Sequence, residues 1–299
     1  MTPNTDLKHF DKYRADFKPY GLTCEMWEPY LMERFDRHNE IEINYFPTDT
    51  VTYLFQNTQM TIPAKRIVVF WGLMPHRIID FQGNAPYYVC TIPLPQFLAW
   101  NLPAAFSEHI LKCNVTIEES PDYAPYDDFL FHNWLNDANG NGDMQTFIEE
   151  IKARLRRLSS HYTNPDLNKP IVHSSEVDLV GKMAVFIAQN YMNPIQLKDV
   201  AQNTGIHPDY AGMLFKKAFG RSIYQQILYE RIEHAKRQLF ETDNSITEIA
   251  FDCGFSSINR FNAVFIQQTG LTPRAFRNLK YSPTEQHHYN KKHRGIKRD

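Results

Sequence analysis

Long hydrophobic runs are missing from this sequence. No stretch of about 18 apolar residues occurs, so no helical membrane span is expected. Residues Met1 to Asp16 are polar and charged and lack the apolar centre of a secretion signal, so secretion is not expected. Paired cysteines are missing too. Cys24, Cys90, Cys113 and Cys253 are far apart and form no C-x-x-C pair, which argues against a zinc site or disulfide framework and for a reducing compartment. The signatures G-x-S-x-G, Walker and H-E-x-x-H are absent, and no enzyme is expected. Charge of one sign is scarce overall, with a net of −2, but it is unevenly spread. Residues 1–174 hold 15 Lys and Arg against 22 Asp and Glu, whereas residues 175–299 hold 17 against 12. Only the rear part is suited to meet a polyanion.

What is present suits two domains. The 299 residues are 42% hydrophobic and 14% aromatic, enough for a folded core. Residues 31–92 read as β structure, because Ile41 to Tyr45 alternates apolar and polar while Val51 to Phe55 and Ile67 to Trp71 are short β-branched and aromatic runs. Frequent turn signals between them suggest a barrel or jelly roll. From Pro95 the pattern becomes helical. The clearest front helix is Asp143 to His161, with a narrow apolar stripe that includes Phe147, Ile148, Ile151, Leu155 and Leu158. That stripe suits either packing on the barrel or a two-helix dimerisation seam. Residues 162–175 read as a linker. The rear is helical to about Tyr281, and the basic tail 282–299 reads as disordered.

The rear contains an internal repeat. Leu197 to Ile206 aligns with Ile246 to Phe255 at an offset of 49, and with one inserted residue Phe215 matches Phe265 and Gly220 matches Gly270. In each copy a short helix buries Leu197, Val200 and Ala201, or Ile246, Ile249 and Ala250. A glycine at the sharp turn then favours positive φ (Gly205, Gly254), and Ile206 or Phe255 fills the angle. Pro208 suits the next helix's first turn and Ser256 suits a cap. This is a helix-turn-helix, twice, and its second helix can enter a major groove. Ser222 to Phe240 reads as one connecting helix of roughly 28 Å, with Ile223, Ile227, Ile232, Ala235 and Leu239 buried. Such a rod could hold two recognition helices where groove segments recur at about 34 Å.

The segments Ser245 to Phe265 and Gly270 to Arg277 carry a pattern that resembles the AraC/XylS family of transcription regulators. The front half, in Glu42-Ile-Asn, Phe70-Trp71, Pro75-His76 and Phe97-Leu-Ala-Trp100, is similar to a sugar-responsive member of that family. The resemblance implies an α+β chain. Residues 1–170 would form a cupin-like effector-binding barrel with a helical dimerisation segment, and residues 176–281 an all-α double helix-turn-helix domain. It implies a homodimeric activator of a sugar operon, working with promoter DNA, a sugar effector and RNA polymerase, without cofactor or metal.

On the first recognition helix Tyr210, Ala211, Leu214 and Phe215 share one face and should be core. The family's base-reading positions fall on Asp209, Gly212 and Met213, which are poor readers, so shape and phosphate contacts should carry part of the binding there. On the second, Asn259, Arg260, Asn262 and Ala263 point outward while Phe261 and Phe265 are buried. Arg260 can hold guanine bidentately, and Asn259 or Asn262 can pair with adenine. Lys216, Lys217, Arg221 and Ser257 suit phosphates.

In the front, Asp36, His38 and Glu42 share strand parity and could face one barrel interior with His76. The favoured reading makes them partners for sugar hydroxyls, with Trp71 or Tyr45 as a flat apolar wall. As alternatives, the four resemble a cupin metal quartet whose first histidine is aspartate, as in an enzyme-like metal cupin fused to a DNA reader, or the barrel is structural and regulation constitutive.

Overall fold

The computed structural model describes residues 7–140, 142–160 and 175–279. The expected tail, and all of the expected linker except Ser175, lie outside them. Residues up to 185, with 218–220, form one compact unit, and residues 186–217 with those from 221 on form a second. The division falls inside a helix.

The front unit begins with seven strands: β1 (Thr23–Trp27), β2 (Glu40–Tyr45), β3 (Thr50–Phe55), β4 (Thr58–Ile62), β5 (Ile67–Trp71), β6 (His76–Gln82) and β7 (Tyr87–Pro93). Helices α1 (Leu94–Ala99) and α2 (Ala104–Leu111) follow, then β8 (Thr116–Ile117), α3 (Ala124–Ala138) and α4 (Met144–Ser160). Two antiparallel sheets result, with strand orders β1-β7-β2-β5-β8 and β4-β3-β6. Among the described residues no ladder closes them into one barrel. The strand read from alternation, β2, and the two read from β-branched and aromatic runs, β3 and β5, are in place. Strand β1, before the expected β region, and β8, after it, were not foreseen.

All six residues of β2 are buried, because this central strand is covered on both faces. Ile41 lies opposite Trp71 and Tyr45 opposite Ile67 in the β2–β5 register. Directly opposed residues share a face, so Tyr45 and Trp71 point the same way, and Glu42 and Asn44 point the other way.

Helix α4 spends its apolar stripe within the chain. Phe147, Ile151, Leu155 and Leu158 are buried and Ile148 is half-buried, with α3 as the main neighbour. The packing alternative accounts for this face, and a dimer seam through these side chains is corrected accordingly: they are already covered. The same stripe carries a charge. Arg154 is buried and forms ion pairs with Asp127 (2.6 Å) and Glu118 (2.9 Å).

From Ser175 the chain is helical: α5 (Ser175–Asn190), α6 (Leu197–Thr204), α7 (Pro208–Phe219), α8 (Ile223–Glu241), α9 (Ile246–Asp252), α10 (Ile258–Thr269) and α11 (Pro273–Asn278). Helices α6–α7 and α9–α10 are the two repeated pairs, and α8 joins them. The expected buried side of α8 (Ile223, Ile227, Ile232, Ala235, Leu239) is buried.

Candidate functional site

The rear unit is punctuated by hydroxyl caps and left-handed glycines. Ser222 and Ser245 start α8 and α9 as full capping boxes with Gln225 and Glu248, and Thr272 caps α11. The cap of α10 is Ser257, whose oxygen accepts from the Arg260 N–H at 3.3 Å; the expected cap, Ser256, sits one residue too early. Gly254 has φ +89°, and a Cβ there would stand 2.4 Å from the Met192 carbonyl oxygen. Both facts demand glycine. Gly220 and Gly270 close the two modules with positive φ, each followed two residues later by the capping hydroxyl of the next helix.

This scaffold fixes which side chains of the second helices face out. On α10, Phe261, Val264 and Phe265 are buried while Asn259, Arg260 and Ala263 are exposed and Asn262 is half-exposed. The Arg260 guanidinium donates to the Tyr224 hydroxyl of α8 at 2.9 Å, a partner that periodicity could not reveal. On α7, Ala211, Leu214 and Phe215 are buried, and Asp209, Met213, Lys216 and Lys217 are exposed. Tyr210 corrects the expectation: it is 40% exposed, because at 100° per residue it lies about a quarter turn from the middle of that buried arc. Leu197, expected in the core, is 36% exposed and covers Gly212, where a Cβ would meet it at 3.7 Å. Arg221 lies over the Tyr229 ring at 4.9 Å.

The front unit brings four of the six expected pocket residues together. The antiparallel register of β2 and β5 continues beyond the strand ends, and Asp36 pairs through its backbone with His76 (2.9 and 3.2 Å). His38 is placed by its N–H donating to Gly72 O at 2.9 Å. Its ring occupies the space where a Cβ on Gly72 would fall, 2.1 Å from Cε1, so residue 72 must lack a side chain. Asp36, His38, Glu42 and His76 are all buried. The His38 Nε2 lies 2.8 Å and the His76 Nε2 3.6 Å from Glu42 Oε2. Asp36 is held by Arg14 (3.1 Å) and the Tyr20 hydroxyl (2.7 Å), and Glu42 accepts from Asn44 Nδ2 at 2.7 Å.

Burial alone would lower the His38 pKa. Hydrogen bonding and charge from Glu40 and Glu42 outweigh it and push the imidazole up to about 9. Burial would raise Glu42 and Asp36, but the groups facing them, His76 and His38 for the first and Arg14 with both histidines for the second, hold both carboxyls below their usual range.

Two expected wall residues are elsewhere. Tyr45 stacks on Phe131 of α3 at 5.0 Å and donates to Asp128 at 2.6 Å, and Trp71 is fully buried with its N–H donating to Asn39 O at 3.2 Å. Both stand on the sheet face opposite Glu42, for the register reason given above. The cavity wall is instead built from Tyr20, Trp27, Tyr53 and Tyr87, and it encloses about 30 Å³. The parity of β2 already pointed to Asn44, two residues beyond Glu42, but the tyrosines depend on long-range pairings such as Trp27 with Tyr87.

Comparison with known proteins follows this division. The helix-turn-helix domain family matches residues 200–279. The melibiose operon regulatory protein of Escherichia coli (strain K12) is 29% identical over 272 residues, covering 86% of this chain and 88% of that protein. The transcriptional activator RhaR of Shigella dysenteriae serotype 1 (strain Sd197) is 27% identical over 262 residues, 88% of this chain and 79% of RhaR. Among solved structures, a transcriptional regulator from Chromobacterium violaceum, described as AraC-type in its DNA-binding domain, is 27% identical and covers 35% of this chain and 94% of its own, with a TM-score of 0.34. These proteins are named for regulation and not for catalysis. With two helix-turn-helix modules in its rear unit, the chain carries a helix-turn-helix domain and is similar, along most of its length, to the melibiose operon regulatory protein and to the transcriptional activator RhaR.

Proposed function

We propose that the chain activates a sugar-utilisation operon from the cytoplasm, as a homodimer that answers a small molecule held in the front unit. The observation that carries the DNA part is the outward row Asn259, Arg260, Asn262 and Ala263 on a helix whose other face is locked in the core. Arg260 is the guanine reader and the two asparagines read adenine. Asp209, Gly212 and Met213 read little, and α7 contributes mainly through shape and through Lys216 and Lys217 on phosphates, with Arg221 and Ser257 beside them. Helix α8, at 19 residues roughly 28 Å long, spaces the two readers along one side of the duplex.

The sugar reading is supported by the names of the relatives, which concern melibiose and a RhaR activator. Aromatic walls around a few buried polar groups suit a hydroxyl-rich ligand. A cavity of about 30 Å³ is too small for a sugar, so binding requires side chains that line it to move aside. Ligand binding then favours one arrangement of the cupin-like front domain (residues 1–170), and that bias reaches the readers in residues 176–281 and their engagement of RNA polymerase. Dimerisation uses a surface other than the covered stripe of α4.

Genome-wide footprinting of bound sites tests the reading. Occupancy concentrated at a promoter of carbohydrate genes is expected, with a change in footprint when the inducing sugar is supplied. Equal affinity for promoter and random duplex, with and without sugars, would remove it.

A further inference from the structure

The pocket cluster holds more negative than positive charge. Asp36, Glu40 and Glu42 are buried carboxylates, and among the described residues only the Arg14 guanidinium pairs with them as a permanent cation, at Asp36. Two negative charges are left to the imidazoles of His38 and His76. A buried charge without a counterion costs several kcal/mol. Either both rings carry protons or a dication sits among them.

The geometry favours the dication. Each imidazole presents Nε2 to the same oxygen of Glu42, at 2.8 and 3.6 Å. Bonds of about 2.0–2.2 Å from a first-row metal to nitrogen and oxygen place neighbouring ligand atoms about 3–3.5 Å apart, close to that spacing. Ligand atoms of Asp36, His38 and His76 all lie within 4.8 Å of one another. The far nitrogens are turned to acceptors: His76 Nδ1 donates to Met74 O at 2.9 Å, and His38 Nδ1 faces Glu40 Oε2 at 3.2 Å. Metal-bound imidazoles are oriented through their outer nitrogen in this way. Glu42 is itself steadied by Asn44, and Asp36 by Tyr20. A space of about 30 Å³ that Asp36, Glu42 and His76 line adjoins them and has room for one or two waters.

We propose that His38, His76 and Glu42 bind one divalent first-row transition-metal ion, with Asp36 completing the set and Glu40 and Asn44 orienting it. Two imidazoles and carboxylates are a donor set for Zn(II), Mn(II) or Fe(II). The proposal goes beyond the effector reading and does not depend on it. The ion would tie the loop before β2 to the start of β6.

The test is a titration of the untagged, chelator-treated full chain with Co(II) and Zn(II), followed by the visible Co(II) spectrum and by metal analysis after desalting. One ion per chain is expected, raising the Tm. Glu42→Gln and His76→Ala are expected to abolish that equivalent, and Glu40→Gln to weaken it about 10–100-fold. Near-UV circular dichroism and tryptophan emission, from four tryptophans that all lie in the front unit, report that the variants are folded there. If the variants do not fold, X-ray absorption of the Co(II)-loaded wild type decides, with two imidazoles expected around the ion. No retained ion in the wild type, an unchanged equivalent in folded variants, or a shell without imidazole would overturn the site, while leaving the DNA-binding reading intact.

Discussion

Arg260 and Gly254 are single residues with sharply different duties. Arg260→Ala is expected to relax preference at one base pair and cost about 1–3 kcal/mol on the preferred operator, measured by competition against operators altered one position at a time. Lys217→Ala is expected to weaken all sequences alike and to reduce the salt slope by about one. Uniform loss from both variants would show that Arg260, held at Tyr224, is not a reader. At Gly254 positive φ and a close carbonyl act together, whereas Gly205 has φ +70° with open space around its Cβ. Gly205→Ala therefore costs about 1–2 kcal/mol, the backbone strain alone, and Gly254→Ala costs more, as urea unfolding will show. Both glycines were legible, because the repeat places them at the turn. The pocket was legible only on one side: parity gave Glu42 its face, and applied again it would have excluded Tyr45, three residues away. Trp71 could be placed only by the register that sets it opposite Ile41.

At the level of elements, α4 and α8 each hide a titratable or charged group inside an otherwise regular helix. The stripe of α4 runs 147, 151, 154, 158, and its third slot is an arginine. That anomaly was visible in the sequence; its partners Asp127 and Glu118 were not, since they come from α3 and from the residue just after β8. Arg154→Ala leaves two buried carboxylates facing each other and is expected to destabilise the front unit by about 3–5 kcal/mol, whereas Glu149→Ala on the exposed side of the same helix changes stability by less than about 0.5 kcal/mol. In α8, burial and the nearby Arg237 charge, only partly offset by Asp252, lower His234 from 6.5 to about 4. The unfolded chain therefore binds a proton that the folded unit refuses. Stability is complete above pH 6.5 and falls as the pH drops toward 4. Denaturant melts across that window are expected to flatten in His234→Gln, and an unchanged slope would clear His234 of the effect.

For the whole molecule, the repeat and the charge asymmetry made the rear domain readable, because a duplicated local motif needs no knowledge of distant contacts. The front sheets were readable only as short strands, since strand order depends on pairings such as β1 with β7, in which Thr23 lies opposite Thr91 and Trp27 opposite Tyr87. All four tryptophans (Trp27, Trp71, Trp100 and Trp134) lie in the front unit, and Trp27 lines the cavity. Titrating candidate sugars is therefore expected to change indole emission, saturably, at concentrations that alter the footprint. A flat response to every sugar that shifts the footprint would place the effector outside this cavity. The Gly-x-hydroxyl stops at 220–222 and 270–272 have a consequence of their own. Because both helix-turn-helix pairs end on the same backbone bend and hand over to the next helix in the same way, exchanging α6–α7 with α9–α10 is expected to yield a regulator that recognises a rearranged operator with its spacing kept.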